Sequence, residues 1–192
     1  MKKLLFVNAC SKPRELSRTW ELCDTYISSF LQNNPEYQLE EIRLFDKGIQ
    51  NYSMEEIQRR DALVAARKFD DPMFDLAHQF AAADAIVVGA PYWDLSFPAI
   101  LKVYVEAVCV NGITFHYTAN GAEGLSSFSS MVYLTTSGGN NQNKKYGADY
   151  MEAVAHFLGK GIFKEAAAYG LDIIGNDVEA ILSAAKEEVL KL

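Results

Sequence analysis

Cysteine and histidine are scarce in this 192-residue chain, and their scarcity excludes two kinds of scaffold. The three cysteines are odd in number and widely spaced, so they predict no disulfide framework and favour a reducing compartment. The three histidines are also far apart and lack the spacing of metal ligands. We therefore expect a cytoplasmic protein without a structural metal.

Positive charge and long apolar runs are scarce as well. The 18 Lys and Arg residues are outnumbered by 25 Asp and Glu, which gives a net charge of −7. Nucleic acids and anionic membranes attract clustered positive charge, so neither is an expected partner. The N-terminal apolar run breaks at Asn8, too early for a signal sequence, and no later run approaches the length of a membrane span.

Strand-like and helix-like segments alternate along the whole chain, without a repeat or a linker. Strands are predicted at Leu4–Asn8, Gln38–Leu44, Ala85–Ala90, Ser130–Thr136 and Ala166–Ile173. Helices are predicted at about Ser17–Asn33, twice between Ser53 and Ala83, from Pro98 to Gly112, and at about Asp149–Leu158 and Asp177–Leu192. This alternation predicts one α/β domain over residues 1–192, with a doubly wound five-stranded parallel sheet and helices on both faces. Five such strands fit the flavodoxin-like order, although the sequence does not fix the strand order.

Ligands of open parallel sheets bind beyond the carboxyl ends of the strands, and the first such loop runs from Cys10 to Thr19. It lacks the Gly-x-Gly-x-x-Gly fingerprint, which argues against a classical dinucleotide-binding domain. Hydroxyl groups of Ser11, Ser17 and Thr19 flank a helix start, where free N–H groups and the helix dipole favour an anion. Arg18 adds positive charge. The segment is either a phosphate site or an ordinary helix cap, since Ser and Thr are preferred caps.

A second loop, Pro91 to Pro98, follows the most apolar strand and carries Tyr92 and Trp93. Two aromatic side chains at this point offer a platform for a flat ring system. The prolines restrict the backbone, which suits a loop that presents N–H groups at fixed positions. The alternative is that the aromatic rings only seal the edge of the sheet. We favour the ligand site, because loops at strand ends carry function disproportionately.

The third loop follows the fourth predicted strand and begins Thr136-Ser137-Gly138-Gly139. Paired glycines permit a close approach of the backbone to a ligand, although a simple turn also uses them.

The stretch beyond the aromatic loop carries the most specific pattern in the chain. It reads Leu101-Lys102-Val103-Tyr104, followed by Gly112-Ile113-Thr114-Phe115-His116-Tyr117-Thr118-Ala119-Asn120-Gly121-Ala122-Glu123-Gly124-Leu125. Together with the three loops, this stretch resembles the FMN-dependent NADH-azoreductase and NAD(P)H:quinone-reductase family of flavodoxin-like proteins. The resemblance runs from residue 4 to about residue 172.

The resemblance implies a domain that binds FMN and takes electrons from NADH or NADPH. Flavin N5 would accept a hydride, and a quinone, an azo compound or a similar small electrophilic acceptor would then enter the same pocket, which is a ping-pong exchange. The protein would contribute stacking, orientation and hydrogen bonds, so no catalytic side chain is assigned. Lys144 and Lys145 either form a solvated turn or attract the phosphates of the nicotinamide cofactor.

The resemblance also implies positions for the parts of FMN. The phosphate would lie near Ser17, Arg18 and Thr19, with Cys10 or Ser11 at the strand end. The isoalloxazine ring would lie along Pro91, Tyr92, Trp93, Asp94 and Leu95. Its pyrimidine edge would meet Thr136, Ser137, Gly138 and Gly139. Tyr117 matches an aromatic position that reaches the substrate pocket from a partner subunit.

Three positions depart from the family pattern. Asp94 stands where the family commonly has Asn, Ser137 replaces an arginine, and Ala122 replaces a proline. FMN is still expected, but the acceptor is left open among quinones, azo compounds and other small electrophiles.

The helix after Pro98 is apolar nearly all round, whereas a surface helix needs only one apolar stripe. Either the helix is deeply buried in the monomer or a second face meets a partner subunit. We expect a homodimer, because twofold dimers are the commonest oligomers. Two other functions stay open, a flavodoxin-like electron carrier and an FMN-free binding or regulatory module. The colour of the purified protein distinguishes the module, which would not be yellow.

Overall fold

The computed structural model describes residues 1–140 and 146–192, and the predicted alternation of strands and helices is present there. The strands in this part of the chain are β1 Lys2–Asn8, β2 Tyr37–Arg43, β3 Ala85–Gly89, β4 Phe115–Thr118, β5 Gly121–Gly124, β6 Ser130–Thr136 and β7 Ile162–Ala168. The α-helices are α1 Arg18–Asn33, α2 Met54–Ala65, α3 Asp75–Ala81, α4 Ala99–Val108, α5 Ala148–Leu158 and α6 Val178–Val189.

Five of these strands form the central sheet, in the order β2-β1-β3-β6-β7 and all parallel. Every residue of β3 is buried, because helices cover both faces of the sheet. The predicted fold class, a doubly wound five-stranded parallel sheet, is therefore confirmed.

Successive residues of a strand point to opposite faces, so the sheet separates two apolar cores. In one core, α1 and α6 pack against strand residues that include Leu4, Phe6, Val87 and Leu134. In the other, α3, α4 and α5 pack against residues that include Leu5, Val7, Val88 and Tyr133. Each fully buried large apolar side chain contributes about 1.5–3 kcal/mol, so these two cores hold the strand ends in fixed positions.

Side chains cap the two elements that begin at Ser53 and Asp71. Ser53 and Glu56 form a capping box at the start of α2. Asp71 caps the 3-10 turn Pro72–Phe74, which leads into α3. None of the helices in residues 1–140 and 146–192 has both the length and the apolar character that crossing a bilayer requires.

The last strand of the sheet lies earlier in the chain than predicted. β7 spans Ile162–Ala168, whereas the sequence predicted Ala166–Ile173. Lys164 and Glu165 interrupt the apolar pattern, yet β7 is an edge strand, and edge strands tolerate charged side chains. The backbone turns at Gly170, where φ is +78°, so the residues after Ala168 form a loop at the end of the sheet.

A β-hairpin that the sequence did not predict joins α4 to β6. β4 and β5 pair antiparallel, with Phe115 opposite Gly124. The Phe115 ring lies 4.7 Å from the Phe157 ring of α5. Only four residues form each strand, and β5 is glycine-rich, so neither carries a clear alternating pattern.

Gly124 fixes this hairpin against α5, which generates a prediction. A Cβ atom at Gly124 would lie 2.4 Å from the carbonyl carbon of Leu158, and backbone atoms cannot swing aside. Gly124→Ala should therefore lower the free energy of unfolding by about 1–3 kcal/mol, measured by urea denaturation. Gly139→Ala is the control, because a Cβ there would have no atom of the described residues within 4 Å, and its effect should stay within about 0.5 kcal/mol. Equal stability of the two variants would contradict the close hairpin packing.

Candidate functional site

The three predicted loops meet at one cavity of about 170 Å³ beyond the ends of β1, β3 and β6. The predicted residues that line it are Cys10, Ser11, Ser17, Arg18, Thr19, Pro91, Tyr92, Trp93, Thr136, Ser137 and Gly138. Asp94, Leu95 and Gly139 were also predicted and are not among the lining residues. The lining residues that the sequence did not indicate are Lys12, Leu16, Leu171 and Asp172.

Asn8 fixes the start of the first loop. Its side chain is buried at the end of β1 and donates a hydrogen bond of 2.8 Å to Glu41 of β2. The side-chain oxygen Oδ1 of Asn8 accepts the backbone N–H of Cys10 at 2.9 Å. The loop therefore leaves the sheet in a direction that two strands determine.

Cys10 is a packing residue of this loop. Its side chain is buried, and its sulfur lies 3.9 Å from the carbonyl oxygen of Gly89. Burial raises the pKa of Cys10 to about 11, and a hydrogen bond with Ser17 offsets only part of this effect. The thiol is protonated at neutral pH, so it is not a nucleophile there.

The hydroxyl groups at the start of α1 have structural partners. Ser17 is the N-cap, and its oxygen accepts the backbone N–H of Trp20 at 3.3 Å. The cap interpretation is therefore correct for Ser17, but the Ser17 hydroxyl hydrogen can still donate to a ligand. The N–H groups of Arg18 and Thr19 are in the first turn, so they have no carbonyl partner within the helix.

Thr19 connects this helix start to the glycine loop. Its hydroxyl oxygen lies 2.6 Å from that of Thr136, and both residues are buried. The hydrogen bond fixes the distance between two walls of the cavity.

Arg18 extends from the helix start to the loop after β7. Its Nη1 donates to the carbonyl oxygen of Leu171 at 3.1 Å and to the carboxylate of Asp172 at 2.8 Å. Leu171 and Asp172 therefore hold the guanidinium at the cavity. The sequence did not indicate either residue, because the predicted fifth strand, Ala166–Ile173, included both.

The aromatic loop is a strained turn. Trp93 and Ser96 exchange two backbone hydrogen bonds of 2.8 Å each, and Asp94 and Leu95 between them have φ values of +48° and +70°. This is the geometry of a type I′ turn, which normally selects Asn-Gly. The N–H of Tyr92 is also used within the chain, since it donates to Thr136 at 2.8 Å. The N–H groups of Asp94 and Leu95 have no acceptor among the described residues, so they are the ones that the loop presents.

The glycine loop packs against the loop after β7. Leu171 and Asp172 donate their backbone N–H groups to the carbonyl oxygens of Ser137 and Gly138, at 3.1 and 2.9 Å. The Asp172 carboxylate lies close to Gly138, since a Cβ at this position would be 2.3 Å from one of its oxygens. The end of β7 therefore supplies a fourth wall of the cavity.

Tyr117 lies on β4, outside the cavity lining, and its side chain is 69% exposed. Its ring contacts Phe115 edge-on at 5.6 Å. The chain does not bring this residue to its own cavity. Lys144 and Lys145 lie outside the described residues.

Two chemically different sets of residues line the cavity. Hydroxyl groups, Lys12, Arg18 and the start of α1 form one set, which suits an anion. Tyr92 and Trp93 belong to the other set, which suits a flat ring. Together the two sets can hold a molecule that carries a phosphate and an aromatic ring system.

Comparison with known proteins agrees with the fold and adds relatives of known name. The model of a family described as the Flavodoxin-like fold matches residues 2–192. The FMN-dependent NADH:quinone oxidoreductase 2 of Clostridium acetobutylicum is 36% identical over 187 residues, covering 95% of this chain and 93% of that protein. The FMN-dependent NADH:quinone oxidoreductase of Lachnoclostridium phytofermentans is 35% identical over 190 residues, covering 98% and 96%.

Solved structures share the fold at lower identity. The azoreductase from Bacillus anthracis str. Sterne has a TM-score of 0.86 and 24% identity, covering 100% of this chain and 98% of its own. An FMN-dependent NADH-azoreductase from Bacillus anthracis str. Ames Ancestor, solved in complex with FMN, has a TM-score of 0.83 and 23% identity, covering 100% and 97%.

The strained turn generates a prediction about Leu95, whose side chain is 71% exposed. A left-handed conformation costs about 1–2 kcal/mol for a residue with a Cβ, whereas glycine adopts it freely. Leu95→Gly should raise the free energy of unfolding of the flavin-free protein by up to about 1 kcal/mol, because glycine's greater chain entropy offsets part of the gain. Leu95→Ala keeps the strain and is the control, with a change within about 0.5 kcal/mol. A loss of stability in Leu95→Gly beyond that of the alanine variant would mean that no strain is stored in this turn.

Proposed function

The chain belongs to the family of the Flavodoxin-like fold, and we propose that it is an FMN-dependent oxidoreductase that passes electrons from NAD(P)H to a quinone, an azo compound or a similar small electrophile. One observation carries the proposal, the meeting of an anion-binding helix start and an aromatic loop in one cavity. Relatives that match almost the full length are named FMN-dependent NADH:quinone oxidoreductases. The same enzymatic names argue against an electron carrier or a flavin-free module.

The donor set fits the phosphate of FMN. The N–H groups of Arg18 and Thr19 and the hydroxyl group of Ser17 all lie at the start of α1, and all three residues line the cavity. Ser11 is the better hydroxyl donor at the strand end, because it is exposed, whereas Cys10 carries a buried thiol. Thr19 supports the site mainly through its backbone N–H, since its hydroxyl is hydrogen-bonded to Thr136.

The aromatic loop fits the ring system. Pro91, Tyr92 and Trp93 line the cavity and offer a surface for stacking. Asp94 and Leu95 follow them outside the lining, and their N–H groups are available to polar atoms of the ring system. Gly138 and Gly139 have N–H groups without an acceptor among the described residues. They suit the carbonyl oxygens at the pyrimidine edge of a flavin.

Bound FMN supplies the chemistry, by accepting a hydride from NAD(P)H and passing two electrons to the acceptor. The chain's own residues bind and orient. Arg18 and the helix start would hold the phosphate, and Trp93, a lining residue that is 43% exposed, would stack on the ring. The carboxylate of Asp94, next in the chain, adds negative charge beside Trp93, which disfavours an anionic reduced ring. We assign no proton transfer to a side chain.

A homodimer and a cytoplasmic location are parts of the proposal. Most apolar residues of α4 are buried in the monomer, Tyr104 among them, and so is Val110 just after the helix, so deep burial explains much of the apolar composition. Val103 is only half-buried, and Tyr117 is exposed and does not line its own cavity, which leaves both for a partner subunit. Cys10, Cys23 and Cys109 are unpaired, as is usual in a reducing compartment.

The functional test is direct. The purified chain, reconstituted with FMN where necessary, should bind one FMN per chain and oxidise NADH or NADPH with a quinone acceptor. Initial rates at varied donor and acceptor should give the parallel double-reciprocal lines of a ping-pong exchange. A chain that binds no flavin after reconstitution would overturn the proposal, whereas flavin binding without NAD(P)H oxidation would favour an electron carrier.

The dimer has its own test at Val103. Val103→Asp would place an unpaired charge in an apolar interface, which is strongly unfavourable. This variant should sediment as a monomer in analytical ultracentrifugation and lose reductase activity, because the pocket is shared. The matched control is Met54→Asp, an exposed apolar residue at the start of α2, which should stay dimeric and active. A fully active wild-type monomer at micromolar concentration would contradict the shared pocket.

A further inference from the structure

Arg18 and Asp172 meet at the cavity although they are 154 positions apart in the sequence. Arg18 is the first residue of α1, and Asp172 lies in the loop after β7. The Arg18 Nη1 atom donates to Asp172 at 2.8 Å and to the Leu171 carbonyl oxygen at 3.1 Å. Both side chains line the cavity. The contact therefore joins the helix start to the outermost wall of the site.

Asp172 is itself held in place from the opposite side. Its backbone N–H donates to the Gly138 carbonyl oxygen at 2.9 Å. One carboxylate oxygen occupies the space beside Gly138 that a Cβ would need. The glycine loop therefore fixes the backbone of Asp172, and from this backbone position the carboxylate reaches Arg18.

The hydrogen-bond inventory of Arg18 shows what this contact leaves available. A guanidinium has five N–H donors, and Nη1 supplies two of them. Both acceptors, Leu171 and Asp172, are bound by Nη1. Nε and Nη2 have no acceptor among the described residues, so Arg18 can hold Asp172 and a phosphate at the same time.

The neighbouring Arg14 has the opposite arrangement. Its Nε and Nη2 atoms are both bound by Asp24, at 2.8 and 2.6 Å. Neither Arg14 nor Asp24 lines the cavity. This ion pair uses the face of the guanidinium that binds phosphate in a two-pronged manner.

We propose that Asp172 is a positioning residue that orients Arg18 towards the phosphate of FMN and so increases the preference of the site for FMN over riboflavin. The inference rests on the proposed function, because FMN must bind in this cavity. Asp172 is also negative and would repel a phosphate. However, its side chain is 73% exposed, so water and salt screen that repulsion, whereas the hydrogen bond that orients Arg18 is direct.

The test compares two flavins rather than two activities. The full-length chain, stripped of flavin, is titrated with FMN and with riboflavin, and flavin fluorescence gives the dissociation constants. Arg18→Ala should weaken FMN binding about tenfold or more, as expected for the loss of a charged hydrogen bond. Asp172→Asn should weaken FMN binding about three- to fivefold, the upper range for an exposed ion pair. Riboflavin binding should change in neither variant.

Three further variants separate positioning from other roles. In the Arg18→Ala background, Asp172→Asn should have no additional effect, because there is no guanidinium to orient. Asp172→Glu keeps the carboxylate and should lie closer to the wild type than Asp172→Asn does. Asp24→Asn removes a second Arg–Asp ion pair, that of Arg14, which lies outside the cavity, and should leave FMN affinity unchanged.

Other results would overturn the inference. Unchanged or tighter FMN binding in Asp172→Asn would mean that Asp172 does not orient Arg18. An equal loss of riboflavin affinity, or a loss that persists without Arg18, would mean that Asp172 contacts the flavin itself or only supports the loop. Failure of the wild type to bind FMN would instead contradict the proposed function.

Discussion

The cavity depends on one constraint, that neighbouring parallel strands end at the same edge of the sheet. Each chain segment that leaves β1, β3, β6 or β7 must turn at that edge, so four loops meet there. Two buried cores keep the strand ends in register. The buried hydrogen bond between the hydroxyl groups of Thr19 and Thr136 then sets the separation of the first and third loops. A shift of either core would therefore change the shape of the site before any lining residue changed.

The sequence correctly predicted the site loops that follow the central strands β1, β3 and β6. It did not predict the loop that follows the edge strand β7. β3 is uniformly apolar and β6 contains the apolar run Met131–Leu134, so both strands were clear in the sequence. β7 is half-exposed and contains Lys164 and Glu165, so the predicted strand ran past its true end at Ala168. That error assigned Leu171 and Asp172 to a strand and hid the fourth wall. Edge exposure depends on strand order, which a single sequence does not determine.

Residue types alone also did not show which hydrogen-bonding groups are already bonded within the fold. Ser17 caps α1, the Thr19 hydroxyl binds Thr136, and the Tyr92 N–H binds the Thr136 carbonyl oxygen. Each of these groups looked available for a ligand in the sequence. The donors still available to a ligand are the backbone N–H groups of the first turn of α1, of Asp94 and Leu95, and of Gly138 and Gly139. Nε and Nη2 of Arg18 are available as well. Backbone geometry, rather than side-chain identity, therefore supplies much of the candidate site.

The charge of the site opposes the charge of the chain, and distance decides which one a phosphate experiences. The chain carries a net charge of −7, which would repel a dianion at long range. At physiological ionic strength, charges farther away than about 8 Å are largely screened. Among the residues that line the cavity, Lys12 and Arg18 are positive and the exposed Asp172 is negative, and the first-turn N–H groups add to the positive side. Because the attraction is local, a single well-oriented guanidinium can matter more for phosphate binding than the acidic surface of the whole protein.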